Sequence, residues 1–166
     1  MRSPERAAAF EPPPLTPKGE SPMTEAMKTK IRRIYEEAYG KGELAVLDEV
    51  IAPDYHRHQP PMPEVKGLDA YKKFVADVRS AYTGLEFIVE DVIVEGNISC
   101  ARVTLRGKHT KQAPTLQAPP TGKQIEMMGC VVSHWREGKV AVDWVYNDYL
   151  GLMQQFGLYP PPGMFA

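Results

Sequence analysis

The segment from Gly122 to Gly157, GKQIEMMGCVVSHWREGKVAVDWVYNDYLGLMQQFG, constrains the fold more than the rest of the chain together. It reads as a long apolar strand, a tight Glu137-Gly138 turn, a second apolar strand and a short amphipathic helix. One acidic residue, Asp143, interrupts the apolar run of the second strand. A carboxylate inside an apolar hairpin is costly to bury unless it has partners or a task, so Asp143 is the first candidate for function.

Register decides what Asp143 meets. A three-residue turn with Gly138 in the left-handed region pairs Trp135 with Lys139 and sets Asp143 opposite Val131, with Val145 opposite Gly129. A two-residue turn sets Asp143 opposite Val132 and diagonal to His134, about 7 to 8 Å away. The first is preferred, because glutamate is poorly suited to the positive φ that a two-residue type I′ turn asks of its first position. In both registers desolvation is expected to raise the carboxyl pKa and fit it for proton transfer near neutral pH. The plain alternative is an exposed or salt-bridged aspartate on a solvated strand face.

Upstream of the hairpin the hydrophobic period is helical. Residues 1–22 are proline-rich with little periodicity and are expected to form a disordered or loosely packed tail, with Met23 a candidate natural start. Met27, Ile31, Ile34, Tyr35 and Ala38 then recur at helical spacing, with Thr24 as the expected N-cap and Gly40 near the expected end. Leu44, Leu47 and Val50 repeat the pattern over Glu43 to Ile51, and Pro53 stops it. After an extended piece and a proline-rich loop (Asp54 to Pro63), Leu68, Tyr71, Phe74, Val75 and Val78 define a third helix ending near Ala81. Phe87 to Val94 and Ile98 to Leu105 are β-branched runs joined at Glu95-Gly96-Asn97. Helices first and a meander of about four long strands last imply an α+β fold, a curved, mostly antiparallel sheet with about three N-terminal helices packed on one face and a short C-terminal helix. One domain over 23–159 accounts for this pattern, with 160–166 as a C-terminal tail.

Composition narrows the function. A formal net charge of -1, with 20 basic and 21 acidic residues interspersed, removes the footprint of a nucleic-acid binder. Cys100 and Cys130 lie in apolar runs without metal-ligand spacing and read as buried reduced thiols, which points to the cytoplasm. No apolar run is long enough to span a bilayer, so no membrane partner is expected. There is no GxSxG, P-loop or GxGxxG, which leaves serine hydrolase and nucleotide readings without support.

Other candidates cluster in the helices and the extended piece. In Tyr55-His56-Arg57-His58, alternation puts His56 and His58 on one face and Arg57 on the other. Two histidines at this spacing can chelate a metal, but no third ligand is spaced nearby, so no metal is expected. His58 is then a pocket-edge hydrogen-bonding group or a surface residue, and His109 faces the same choice. Tyr35, Tyr39, Tyr71, Phe74, Trp144 and Tyr146 line a cavity for a flat apolar ligand or are simply core, His134 reads as a packed strand histidine, and Asp148 suits the N-cap of the last helix.

Several pieces in order now resemble one family: the Arg136-Glu137-Gly138-Lys139 turn, the Asp143-Trp144 pair, Asp148, LGLMQQFGL, the stretch IRRIYEEAYGKGELAVLDEVIAPDYHRH, AYKKFVADVRSAY, GKHT and PPTGK. Together they are similar to the SnoaL-like polyketide cyclase family of the nuclear transport factor two-like superfamily, over about Met27 to Leu158. The resemblance implies a cone-shaped α+β barrel, commonly dimerising through the open face of its sheet. It also implies a cofactor-free intramolecular aldol condensation driven by a strand carboxylate, with a histidine two residues earlier on that strand and another on the preceding strand. Counted from the shared turn, these positions hold Val145, Asp143 and Val131.

Three hypotheses follow. The first is a cofactor-independent cyclase, isomerase or lyase for a small hydrophobic carbonyl compound, with Asp143 and His58 as catalytic residues and Tyr35, Tyr39, Arg57, Tyr71, Phe74, His109, Val131, Val145 and Asn147 binding substrate. The second is a noncatalytic binding module for an apolar metabolite. The third is an interaction protein, with a homodimer face and a residual cavity. A homodimer is the partner expected in each.

Overall fold

The computed structural model describes residues 21–112 and 119–158. All but the last two residues of the expected 1–22 tail, and the whole of the expected 160–166 tail, therefore lie outside the described residues, as does part of the loop before PPTGK. Helix α1 (Pro22–Arg33) begins one residue inside the stretch read as tail: Ser21, not Thr24, is its N-cap, accepting from the Thr24 amide at 3.1 Å. Proline at the first helical position costs nothing there, because that amide has no intrahelical acceptor. The chain continues as a π-helix over Ile34–Lys41 and stops at Gly42, whose φ of 86° is left-handed, rather than at Gly40. Arg79 from the facing helix donates to the carbonyls of Tyr39 and Gly40, which the wider turn leaves without ladder partners.

Helix α2 (Val46–Val50) is shorter than its pattern suggested, because strand β1 (Ile51–His58) begins before Pro53. After β2 (Val65–Lys66), helix α3 covers Leu68–Ala81, as its spacing predicts. Strands β3 (Tyr82–Glu95), β4 (Ile98–His109), β5 (Gln124–Arg136) and β6 (Lys139–Asn147) then form a meander, closed off by helix α4 (Tyr149–Phe156). Among the described residues the sheet has six strands in the order β2-β1-β6-β5-β4-β3, with β1 parallel to β6 and the other pairs antiparallel. It is curved but not closed, and the N-terminal helices cover its concave face. Ile31, Tyr35, Leu47, Tyr71 and Val75 from the helices meet Val89, Ala101, Val131 and Val145 from the sheet in one core.

The hairpin takes neither of the two registers read from the sequence. Its turn has two residues, with Glu137 at φ 52° and Gly138 at φ 73°, and Arg136 pairs with Lys139. Glutamate accepts the left-handed conformation because the type I′ turn matches the twist of the strands, and Lys30 Nζ holds the turn by donating to the Gly138 carbonyl at 2.7 Å. A bulge follows, with both Val140 and Ala141 buried, so the register shifts by one between Trp135 and His134. Asp143 then stands opposite Ser133, Val145 opposite Val131 and Asn147 opposite Gly129.

Helix α4 is fixed at its start by Asp148, whose Oδ1 accepts from the Gly151 amide at 2.8 Å. Asp148→Ala is expected to lower stability by about 1 kcal/mol, read calorimetrically as a fall in Tm of about 2 to 4 °C. No helix among the described residues is long and apolar enough to cross a membrane.

Candidate functional site

Inward-facing residues of the sheet and the helices that cover it enclose a pocket with about 540 Å³ of empty space, its open mouth included. Met127, Gly129, Val131, Val145 and Asn147 supply the sheet wall. The π-helix supplies Tyr35 and Tyr39, whose rings stack at 5.7 Å, and Phe87 of β3 closes on Tyr39 at 4.6 Å. Phe74 and Val78 of α3, Tyr82 and Tyr149 complete most of an apolar lining. Gly129 is needed where it is: a Cβ there would collide with the Asn147 side chain that crosses from the paired strand.

One side of the pocket is polar. Tyr55, Arg57 and Gln59 share the inward face along and just beyond β1, and all three are buried. Arg57 Nε donates to Gln59 Oε1 at 2.8 Å, and Gln59 Nε2 donates to the Tyr149 hydroxyl at 2.5 Å. The guanidinium lies 5.6 Å from the ring centre of Tyr71 and 5.4 Å from that of Phe74, with its Nη1 3.6 Å from Asp143 Oδ2. Tyr55 donates to the same carboxylate oxygen at 2.6 Å. Burial raises the Asp143 carboxyl pKa above its ordinary value; Arg57 and the Ser133 and Tyr55 hydroxyls pull it down without cancelling the shift. The Tyr35, Tyr39, Tyr55 and Tyr71 phenols are all pushed up, first of all by burial, and stay neutral.

This floor is not satisfied from within. Among the described residues Arg57 Nη1, Tyr39 Oη, Tyr71 Oη and Asp143 Oδ1 are buried without a hydrogen-bond partner. One atom of the guanidinium and three near it are costly to leave so in a closed core, and the two that belong to lining residues, Arg57 Nη1 and Tyr39 Oη, are ready donors for the polar end of a ligand.

The residues singled out from sequence divide accordingly. Tyr35, Tyr39, Arg57, Phe74, Val131, Val145 and Asn147 line the pocket. Tyr71 lies behind Arg57, and Asp143 lies beyond Val145 on the same face of β6, outside the lining. His58 is not brought to them: strand alternation puts it on the outer face of the sheet, stacked on Trp144 at 5.4 Å, with His134 tilted on the other side of that ring arrangement at 4.7 Å from Trp144. His109 is fully buried but stands behind Tyr82, stacked on Phe156 at 4.5 Å, with Nδ1 accepting from the Thr121 amide at 3.3 Å; burial lowers its pKa. Trp144 and Tyr146 also face outward, away from the cavity they were candidates for. Gln59 and Tyr149 were missed; Gln59 was legible as the next inward residue after Arg57, whereas Tyr149 carries no pattern that marks it. The thiols of Cys100 and Cys130 are free and half-buried on the outer face, 3.2 Å apart, and burial pushes Cys100 up to about 11.

Known proteins share this fold. The structure is similar to a protein from a Jannaschia species assigned as a SnoaL-like polyketide cyclase, at 23% identity and a TM-score of 0.76, covering 87% of this chain and all of that one (100%). It is similar to TsrD from Streptomyces laurentii at 24% identity and a TM-score of 0.73, covering 81% and 97% of the two chains. A protein from Acidithiobacillus ferrooxidans assigned as a polyketide cyclase matches at 25% identity and 0.68, covering 80% and 94%. These likenesses show the fold, a cone-shaped α+β sheet and helix layer. No curated protein matches. The family model of the SnoaL-like polyketide cyclases matches residues 29–156, which is most of the chain. With the cone, its pocket and that match in place, the chain belongs to the SnoaL-like polyketide cyclase family.

Proposed function

We propose that the pocket takes up a small, largely apolar carbonyl compound and supports a cofactor-free proton transfer on it, of cyclase, isomerase or lyase type. The observation that carries this is the buried Arg57 in the pocket lining, ion-paired to Asp143 but with Nη1 making no hydrogen bond, together with the Tyr39 hydroxyl, which also makes none, in an otherwise apolar lining. A carbonyl oxygen seated there gains charge as the neighbouring carbon loses its proton, and a fixed guanidinium with the Tyr39 phenol stabilises that charge more than the ground state. Asp143 is the acid/base in this reading. Its Oδ1 makes no hydrogen bond, burial holds its pKa above the ordinary carboxylate value, and it stands two strand residues, about 7 Å, from the lining residue Val145.

A second reading has an observation of its own. Val145 and Val131 are paired neighbours in the sheet wall of the pocket, at positions where the family resemblance implies an acid and a histidine, and neither side chain can carry a proton. The cone would then be a binding module that captures an apolar metabolite unchanged. Incubation with a panel of hydrophobic β-dicarbonyl compounds separates the two. Recovery of a cyclised, isomerised or cleaved product supports the enzyme, whereas saturable binding with the ligand returned intact contradicts it.

The outer face of the sheet fits self-association. Tyr146 (62% exposed), Ile93 (62%) and Met128 (54%) present apolar surface there. A second copy of this chain is the proposed occupant, and sedimentation velocity is expected to give a dimer mass; a monomer at micromolar concentration would contradict it.

A further inference from the structure

The outer face of β1 carries a cluster that the pocket does not use. His56 and His58 alternate onto that face, and the chain turns back at Gln59–Met62 so that β2 pairs antiparallel, with His56 opposite Lys66 and Arg57 opposite Val65. Continued by one pair, this register brings Glu64 across from His58. The third ligand absent from the local sequence pattern is thus delivered by the hairpin. Glu64 Oε2 lies 2.9 Å from His56 Nε2 and Glu64 Oε1 lies 2.9 Å from His58 Nδ1. The two imidazoles are 4.1 Å apart at their ring centres, and one donor atom from each of the three residues falls within 4.8 Å of the others.

We propose that His56, His58 and Glu64 form a binding site for a divalent transition-metal ion, with zinc the ion they fit best. Two imidazole nitrogens and a carboxylate oxygen are a zinc ligand set, and three protein ligands leave the fourth position to water. Zinc with ligand bonds of about 2.0 to 2.1 Å at tetrahedral angles holds its donors about 3.3 Å apart, so the observed separations need only small side-chain rotations. Calcium and magnesium are disfavoured because they take oxygen donors. The site is held from behind: His58 is stacked on Trp144, with an interplanar angle of 15°, which limits how far its ring turns. In the metal-free form Glu64 bridges the two rings and keeps the three side chains gathered, which reduces the ordering cost of binding. Lys66 opposes the metal, since its Nζ lies 3.1 Å from Glu64 Oε2 and competes for the same oxygen, but its side chain is largely exposed and free to swing into water.

Isothermal titration of the untagged full-length chain with zinc chloride tests the site, and Ni²⁺ titration followed by tryptophan fluorescence tests its place. The expected result is one zinc ion per chain, with affinity reduced about tenfold or more in His56→Ala, His58→Ala and Glu64→Gln. Lys66→Gln is expected to tighten binding, and Ni²⁺ to quench Trp144 in the parent but not in Glu64→Gln. Double substitution Cys100→Ser/Cys130→Ser is expected to leave the titration unchanged. The absence of saturable binding, affinity unaltered in His56→Ala and Glu64→Gln, or a titration lost with the two cysteines would each overturn the proposal. His56 is only half-buried, so the first of these variants reports on binding even where His58→Ala disturbs the Trp144 contact.

Discussion

Asp143→Ala is expected to destabilise the protein by about 3 to 5 kcal/mol, the cost of leaving one member of a buried ion pair without its partner. Arg57 and Asp143 are both buried, and arginine has no means of shedding its proton when the carboxylate is removed. Tyr55 loses the acceptor of its 2.6 Å hydrogen bond in the same change. The reciprocal variant Arg57→Met is expected to cost less, because Asp143 can take up a proton and become neutral. Chemical denaturation of both variants at pH 7 measures the difference, and equal losses would contradict it.

The same pair sets a pH dependence. The Asp143 pKa is raised in the folded protein, so between its unfolded and folded values the native state holds more protons than the unfolded one. Stability contributed by this residue is therefore fully present below the ordinary carboxylate pKa, about 3.9, and is lost as pH rises through the raised folded value. Removing Arg57 takes away the cation that pulls this pKa down. Arg57→Met is thus expected to lose stability with rising pH over a wider window than the parent does.

Arg57→Met is also expected to lower the rate of proton exchange on a bound carbonyl compound by about 10² to 10³, the range found when one donor to a developing oxyanion is removed. Methionine keeps the apolar packing against Tyr71 and Phe74, so ligand uptake is expected to weaken less than turnover. A fall confined to KM, with kcat intact, would place Arg57 in ground-state binding alone.

Much of the fold was legible because its signals are local. The periodicity of Leu68, Tyr71, Val75 and Val78 fixes α3 whatever surrounds it, and strand alternation separates Arg57 from His56 and His58. That same alternation shows why His58 does not join Asp143: β1 pairs with β6, Arg57 lies beside Asp143, and His58 falls beside Trp144 on the outward face. What was not legible depends on distant contacts. The π-helix needs Arg79 to hold its open carbonyls, and the bulge at Val140 and Ala141 is set by packing. Without the bulge Asp143 would stand opposite Val132 rather than Ser133, so one inserted residue decides which β5 residue it meets. Glu64 was missed as a third ligand for the opposite reason: a strand of two residues is too short to be seen as β2, and only its pairing with β1 brings the carboxylate back to the histidines.

The central claim, that the pocket activates a carbonyl compound with Arg57 on its oxygen and Asp143 at its proton, is tested most directly by deuterium incorporation. A hydrophobic β-dicarbonyl ligand shown to bind is incubated in D₂O, and exchange at the carbon beside the carbonyl is followed by NMR. The parent protein is expected to accelerate exchange, with the acceleration lost in Arg57→Met and in Asp143→Asn measured where each remains folded. Exchange at the uncatalysed rate in the parent, with the ligand bound, would contradict the account and leave a pocket that holds its ligand without acting on it.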